Sequence, residues 1–284
     1  MHVQIVLFDG FDPLDVIAPF EVFHAGGTAS GGGVEVALVS AEGPRDVVSG
    51  TGGLTLRATA ALDPARGGLV VVPGASGPVG AESAAEAVGV GGAAPSTAEA
   101  ADEDGAAPGV AAVVGVDGRA PETPAAGEGG AAPETAGANG VGEGAAGAGV
   151  EGEATIPVLL GRTLSTKLPA LLAAAMADAG TTVACVCGGS LVLALAGLLE
   201  GRPATTHHLG LDLLDATGAR AVRARVVDDG DLVTGAGVTS GLDLGLYLLE
   251  REVGPQVAHA VEGMFAYERR GTVWRPVGPA PTAF

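Results

Sequence analysis

The stretch TTVACVCGGSLVLALAGLLEGR, residues 181–202, constrains the fold of this chain more than any other. Residues Thr181–Val186 are apolar and rich in β-branched side chains, which predicts a buried strand. Two glycines then break the run, because glycine tolerates backbone angles that other residues resist. Ser190 is the predicted N-cap of an apolar helix over Leu191–Leu199, which Gly201 ends. The stretch therefore predicts a strand, a sharp turn and a helix.

Cys187 lies on that turn. A thiol at the positive end of a helix has a lowered pKa, which favours the nucleophilic thiolate. Gly188 and Gly189 let a substrate approach the backbone, and their N–H groups can bind a developing negative charge. This is the arrangement of a nucleophile elbow with sulfur in place of oxygen. The alternative is a buried, inert cysteine at a strand end, and Cys185 within the strand fits that description.

Composition narrows the class of protein. The chain has 284 residues, a net charge of −19 and two cysteines. Two cysteines cannot form a disulfide framework or complete a Cys-x-Cys metal site, so we expect a reducing cytoplasm and no metal. The N-terminus carries no basic region followed by a long apolar run, and no stretch of about 20 apolar residues predicts a membrane span. The negative charge disfavours nucleic acid as a partner.

The first third of the chain predicts an open α/β sheet. Apolar strands are expected at Val3–Phe8, Val34–Ser40 and Leu69–Val72, with a helix over Leu14–Phe23 and a hairpin-like excursion within Val47–Thr55. In such sheets, functional sites gather at the carboxyl ends of the strands.

The composition changes over residues 79–155, which are mostly Ala, Gly, Pro, Glu and Thr and contain no aromatic residue. Such a segment buries too little apolar surface to offset the entropy of ordering it, so a disordered insertion is predicted. Most of the negative charge falls in this segment. Residues 1–284 are predicted to form one α/β domain, which this insertion interrupts.

Order is predicted to return after the insertion. The pattern indicates a helix with Pro169 inside it, then the elbow, a polar helix, an antiparallel pair of strands and two further helices. The predicted bounds are Leu164–Ala179, Leu209–Ala216, Arg220–Val227 paired with Leu232–Gly235, Leu242–Val253 and Gln256–Glu268.

A thiolate needs a proton donor and acceptor, and Asp15 is the best candidate in the first half of the chain. It lies at the first strand–helix turn, which shares a sheet edge with the elbow. Glu21 lies further along the same helix and is expected to face solvent. The alternative role for Asp15 is that of a turn or N-cap residue.

Further candidates surround this predicted pair. The turn at Gly74 and Ala75 can offer a backbone N–H to the same pocket. Thr206 and His207 follow the elbow helix as a polar cluster. For His207, a structural hydrogen bond and a contact with substrate are both open.

Four stretches together resemble the ThiJ/PfpI superfamily, and within it the isonitrile hydratase branch and the related amidase-like domains of transcription regulators. They are LFDGFDPLDVIAPFEVF, VVVPGASG, VACVCGGSLVLALAGLLEGRPATTHH and TGAGVTSGLDLGLYLLEREVG. The resemblance implies a flavodoxin-like α/β sandwich with a mainly parallel sheet and helices on both faces, and a homodimer. It places the reactive cysteine at Cys187 and its acidic partner at Asp15.

The resemblance also implies a function. The expected enzyme adds water to a small-molecule isonitrile through a thioimidate on Cys187, without a cofactor. The chain departs from the hydratase pattern at Gly188, where threonine is usual, and at His208, where an aromatic residue is usual. Gly188 also excludes the Cys-His dyad of the peptidase branch. A glyoxalase-like thiol enzyme and a non-enzymatic ligand or redox sensor remain the alternatives.

Overall fold

A seven-stranded sheet forms the centre of the computed structural model, which describes residues 1–79, 154–280 and 282. The strand order is β10-β11-β7-β6-β1-β2-β5, and all neighbours are parallel except the β10–β11 pair. The strands are β1 (His2–Leu7), β2 (Glu35–Ser40), β5 (Ala60–Ala61), β6 (Gly68–Val72), β7 (Thr181–Val186), β10 (Val226–Asp228) and β11 (Leu232–Gly235).

Two small sheets lie beside the main one. Strands β3 (Arg45–Val48) and β4 (Thr55–Ala58) form an antiparallel hairpin, which extends the excursion predicted within residues 47–55. Strand β8 (Pro203–Ala204) pairs in parallel with β9 (Arg220–Ala221). The predicted pairing of Arg220–Val227 with Leu232–Gly235 is therefore wrong in part, because only its second half joins the main sheet.

Seven α-helices are present in the described residues. They are α1 (Pro13–Ala29), α2 (Ile156–Thr163), α3 (Leu168–Ala177), α4 (Gly189–Leu195), α5 (Leu211–Ala216), α6 (Ser240–Glu252) and α7 (Pro255–Phe265). Helices α1, α6 and α7 pack together on one side of the sheet, and α2–α5 form the other layer. The order β2-β1-β6-β7-β11 is the flavodoxin-like order, so the predicted fold class is confirmed.

The central strands are buried on both faces, as their continuous apolar sequences predict. Ile5, Val71 and Val183 are completely inaccessible to solvent. Burying each such side chain contributes about 1.5–3 kcal/mol to stability. The strands therefore form a rigid base for the turns at their carboxyl ends.

Helix α1 packs closely against α6 because glycines line the contact. A Cβ atom at Gly26 would lie 2.5 Å from Leu249 Cδ1, and one at Gly245 would lie 3.2 Å from the Val22 side chain. This contact fixes α1, whose first turn carries Asp15.

Helix α2 was not expected from the sequence. The insertion predicted over 79–155 lies outside the described residues except for Val79, Ala154 and Thr155, and α2 begins directly after it. The helix predicted over Leu164–Ala179 begins at Leu168 instead, with Pro169 in its first turn, where proline costs no hydrogen bond.

The C-terminal segment is attached to the sheet through Trp274. Its N–H donates to Val226 O at 2.9 Å, and its carbonyl accepts from Asp228 N at 2.9 Å. These bonds cover part of the exposed edge of β10.

No single helix among the described residues is long and apolar enough to cross a membrane. Helices α2 and α3 taken together are long and apolar enough, but the chain bends by 68° between them. Leu160 and Leu172 of this pair are buried in the core.

Candidate functional site

Cys187 occupies a strained turn between β7 and α4. Its φ of 53° lies in the left-handed region, which costs a residue with a side chain roughly 1–2 kcal/mol. The backbone is held on both sides: Cys187 N donates to Gly235 O at 3.0 Å, and Thr206 Oγ1 donates to Cys187 O at 2.9 Å. The strain is thus offset by hydrogen bonds from two neighbouring segments.

The two glycines of the elbow have different roles. A Cβ atom at Gly189 would lie 2.1 Å from Val72 O, so only glycine fits against β6. At Gly188 the nearest atom would be Leu160 Cδ1 at 3.4 Å, which is an ordinary contact. Glycine is therefore required by space at residue 189 but not at residue 188.

Ser190 does not cap the helix, contrary to the prediction. Helix α4 starts one residue before it, at Gly189, and the N-cap is Gly188 without a side-chain bond. The Ser190 hydroxyl donates instead to Cys187 O at 3.4 Å. It therefore supports the elbow from inside the helix.

Asp15 lies in the first turn of α1 and is completely buried. Its Oδ2 accepts a hydrogen bond from Gly74 N at 2.8 Å. Its Oδ1 receives none within the described part of the chain, and the carboxyl interacts with the Cys187 thiol and, through its charge, with Asp12. The sequence-predicted pair is therefore brought together.

Burial raises the pKa of Asp15 well above its usual value, and the charge of Asp12 raises it further. Burial also raises the pKa of the Cys187 thiol, followed by the negative charge of Asp15. The lowered thiol pKa expected from the helix terminus is therefore wrong. The Gly188 N–H does favour the thiolate, but the cost of burying a charge outweighs it.

Cys187 opens onto a cavity of about 240 Å³. The wall is mainly apolar and comes from α2, α4, α5 and the loop before α6. Its larger apolar members are Ile156, Leu160, Leu191, Leu195, Leu213 and Val238. Asp15 is not in this wall, so it reaches the cavity only through Cys187. The arrangement suits a small molecule with an apolar body.

The other predicted residues divide between wall and support. Ala75, Gly188 and His207 line the cavity. Gly74 and Thr206 do not line it. Instead, the Gly74 N–H donates to Asp15, and the Thr206 hydroxyl donates to the carbonyl of Cys187.

Two backbone donors lie in the cavity wall, and one of them, the Gly188 N–H, also interacts with the Cys187 sulfur. The N–H groups of Ala75 and Gly188 make no backbone hydrogen bond to the residues described here. Both residues lie in the cavity wall. That these N–H groups contact a ligand, the role expected of the Gly74–Ala75 turn and of Gly188 and Gly189, stays a prediction.

His207 is half-buried, and its Nδ1 accepts from Leu209 N at 3.3 Å. Burial lowers its pKa, and the neighbouring His208 lowers it further. The ring is therefore neutral at pH 7. His207 makes a structural hydrogen bond and lines the cavity, and its contact with a substrate stays a prediction.

Sequence reasoning missed Leu160 and Asp12, which both line the cavity. Leu160 is on the unexpected helix α2. Asp12 has a readable signal, since Asp-Pro is a common start of a helix, and its Oδ1 accepts from Leu14 N at 2.9 Å.

A larger crevice of about 710 Å³ lies on the other side of α2. Arg45 in its wall is paired with Asp9 at 2.9 Å, and Ser76 shares a hydrogen bond with Thr51 at 2.7 Å. Neither cysteine lies in that wall. Within the described ranges, no cluster of His, Cys, Asp and Glu can hold a metal ion.

Comparisons with known proteins identify similar sequences and similar folds. Residues 162–251 match the model of the DJ-1/PfpI family. The isonitrile hydratase of Pseudomonas putida is 49% identical over 85 residues, which are 30% of this chain and 37% of that protein. The HTH-type transcriptional regulator CdhR of Pseudomonas aeruginosa is 38% identical over 92 residues, 32% of this chain and 27% of the regulator.

The chain thus spans less than two fifths of the length of these curated relatives. A solved ThiJ/PfpI family protein from Pseudomonas syringae superposes with a TM-score of 0.57 at 22% identity, covering 95% of this chain and 76% of that one. The superposition supports the fold, and the family match over residues 162–251 includes the elbow. Residues 162–251 match the DJ-1/PfpI family, and the described residues have the fold of the solved ThiJ/PfpI family protein.

Proposed function

We propose that this protein is a cysteine-dependent hydratase that adds water to an isonitrile and releases an N-substituted formamide. The observation that carries the proposal is the buried Asp15 carboxyl beside the thiol of Cys187 at the base of an apolar cavity. The backbone of Cys187 is in the left-handed region. The match to the P. putida isonitrile hydratase supports the reaction class.

The first step forms a thioimidate. Cys187 Sγ attacks the isonitrile carbon while the Asp15 carboxylate accepts the thiol proton, and Asp15 then returns that proton to the same carbon. A C–S and a C–H bond form, and the carbon–nitrogen triple bond becomes a double bond. Because the thiol is protonated in the free protein, this transfer to Asp15 is part of the reaction.

The second step releases the product. Water adds across the carbon–nitrogen double bond, with its oxygen bonding to carbon and a proton going to nitrogen. The C–S bond then breaks, the new hydroxyl becomes the formamide carbonyl, and its proton returns to sulfur through Asp15. We infer that the N–H groups of Ala75 and Gly188, which both lie in the cavity wall, stabilise charge on the reacting atoms.

The cavity favours an apolar substituent on the isonitrile nitrogen. Leu160, Leu191 and Leu213 offer a surface that gains by excluding water. A small cyclic or branched alkyl group fits a volume of about 240 Å³. We propose a small molecule, and not nucleic acid, as the partner, and a reducing cytoplasm as the compartment.

A non-enzymatic ligand sensor is the second candidate, and one observation favours it. Burial keeps Cys187 protonated, so the cavity can bind a ligand without reaction. The match to the regulator CdhR supports this class. A glyoxalase-like reaction uses the same two residues and is separated by an assay with methylglyoxal.

We also propose that a second copy of the chain binds near helix α1. Leu14 and Ile17 are exposed on α1 by 45% and 38%, and the β3–β4 hairpin exposes Val48 and Leu54 by 49% and 45%. Exposed apolar groups of this kind are typical of interfaces. Light scattering of wild type and of Ile17→Asp tests the proposal: a monomeric wild type contradicts it.

The function is tested by formamide release from cyclohexyl isonitrile. Wild type, Cys187→Ala and Asp15→Asn are compared with Cys185→Ala, a control that removes the other buried cysteine outside the cavity wall. We expect activity in wild type and Cys185→Ala and none in the first two variants. Turnover that survives loss of Cys187 contradicts the proposal.

A further inference from the structure

The cavity that Cys187 opens onto has an acidic side chain in its wall and, among the described residues, no basic one. Its titratable wall residues in the described chain are Asp12, Cys187 and His207, and neither lysine nor arginine lines it. His207 is neutral at pH 7 because burial lowers its pKa. The thiol is also uncharged, so within the wall itself Asp12 supplies the charge that a bound molecule meets, whereas Asp15 lies behind Cys187 and outside the wall.

The Asp12 carboxylate is held firmly in place. Its Oδ1 accepts from Leu14 N, and its own backbone N–H donates to Gly74 O, each at 2.9 Å. These bonds fix the residue between the β1–α1 turn and the turn after β6. The side chain therefore has a defined position in the cavity wall.

The second oxygen of this carboxylate, Oδ2, is available to a ligand. It accepts no hydrogen bond from the residues in 1–79 and 154–280, and Asp12 forms no ion pair there. By contrast, Asp9 in the same turn is paired with Arg45 at 2.9 Å. An unpaired carboxylate beside apolar walls attracts a cation more strongly than one in open water.

We propose that Asp12 is the specificity residue of this cavity and selects molecules that carry a positive charge on an apolar body. The substrate assignment rests on the proposed function. The preferred substrates are isonitriles with a protonated amine on the alkyl group. The isonitrile carbon meets Cys187, the alkyl portion packs on Leu160 and Leu191, and the ammonium group binds Asp12 Oδ2.

The charge preference is tested without turnover, by the rate at which Cys187 forms a mixed disulfide with methanethiosulfonates. The sulfur attacks the reagent's thiosulfonate sulfur, and methanesulfinate leaves. The probes are the cationic 2-aminoethyl and the anionic 2-sulfonatoethyl reagents, and Cys187→Ala gives the background. Because both reagents react with the thiolate, the ratio of the two rates does not depend on the fraction of Cys187 that is ionised. This matters because Asp12 also changes that fraction.

The test variant is Asp12→Asn, because asparagine caps a helix as well as aspartate and keeps the oxygen that accepts from Leu14 N. The control is Glu21→Gln, which removes one exposed negative charge from α1 away from the cavity. We expect wild type and the control to favour the cationic reagent, and Asp12→Asn to lower the rate ratio about tenfold or more. An unchanged ratio in Asp12→Asn overturns the inference.

Turnover then tests the substrate class. The pair n-pentyl isonitrile and 5-aminopentyl isonitrile differ by one ammonium group. We expect kcat/KM to favour the amino compound about tenfold in wild type and the preference to vanish in Asp12→Asn. Equal kcat/KM values in wild type contradict the substrate class. If neither compound reacts while the disulfide ratio behaves as expected, the hydratase function fails and the charge selection by Asp12 stands.

Discussion

Asp15 Oδ2 accepts a hydrogen bond from Gly74 N at 2.8 Å, so the carboxylate of α1 is anchored on the turn that follows β6. The two residues are 59 positions apart in the chain and meet because β1 and β6 are neighbouring parallel strands. Cys187 arrives at the same point from β7, the next strand along. The sheet order therefore assembles the site.

Gly74 should tolerate no side chain. A Cβ atom there would lie 2.6 Å from Gly188 N and 2.9 Å from Asp15 Oδ2. We expect Gly74→Ala to lower the free energy of unfolding by about 1–3 kcal/mol and to abolish turnover. Urea unfolding measures the first effect. Gly263→Ala, on α7 with open space around it, is the control and should lose no stability.

Thr206 should stabilise the strained elbow through its hydroxyl. In Thr206→Val the shape is nearly kept, but the bond to Cys187 O is lost. We expect a loss of about 1–2 kcal/mol in urea unfolding and slower turnover, because the cysteine is less firmly positioned. The exposed Thr28→Val, whose hydroxyl bonds only to His24 O, should change stability by less than about 0.5 kcal/mol. Equal losses in both variants would argue against a role at the elbow.

Asp15 should make stability depend on pH. Its pKa is raised in the folded protein, so above the usual value of 3.8 the folded state holds a proton that the unfolded state has lost. Stability therefore falls as the pH rises from about 4 through the folded pKa. We expect Asp15→Asn to remove this slope. The stability of Asp15→Asn relative to wild type should therefore be higher at pH 8 than at pH 4. A rise of wild-type stability over the same range, relative to Asp15→Asn, would contradict the raised pKa.

Gly188 should accept a threonine. Its Cβ position is 3.4 Å from Leu160 Cδ1, and threonine is the residue usual in the hydratase branch. We expect Gly188→Thr to fold with a stability change of less than about 1.5 kcal/mol and to raise kcat by up to about tenfold, because a hydroxyl joins the cavity wall beside Cys187. Gly189→Thr is the matched contrast and should fail to fold, since Val72 O occupies the space.

Much of the fold could be predicted from the chain because its strong local signals are not overruled by packing. Strand β7 has the predicted bounds, α6 lies within two residues of its predicted bounds, and α7 within three. Helix α2 was missed because its eight residues directly follow the low-complexity segment, so no long periodic pattern marks them. Ser190 was assigned to the wrong position because the exact start of a helix depends on tertiary contacts.

The sequence by itself determined the strand–turn–helix around Cys187, the flavodoxin-like sheet and the meeting of Asp15 with Cys187 at one sheet edge, because hydrophobic periodicity and glycine positions act locally. Tertiary structure alone decided the protonation of that pair and the charge of the cavity. The sign of a pKa shift depends on burial and on charges such as Asp12 that are distant from Cys187 in the chain. The sequence identified the reacting groups, and packing set their electrostatics.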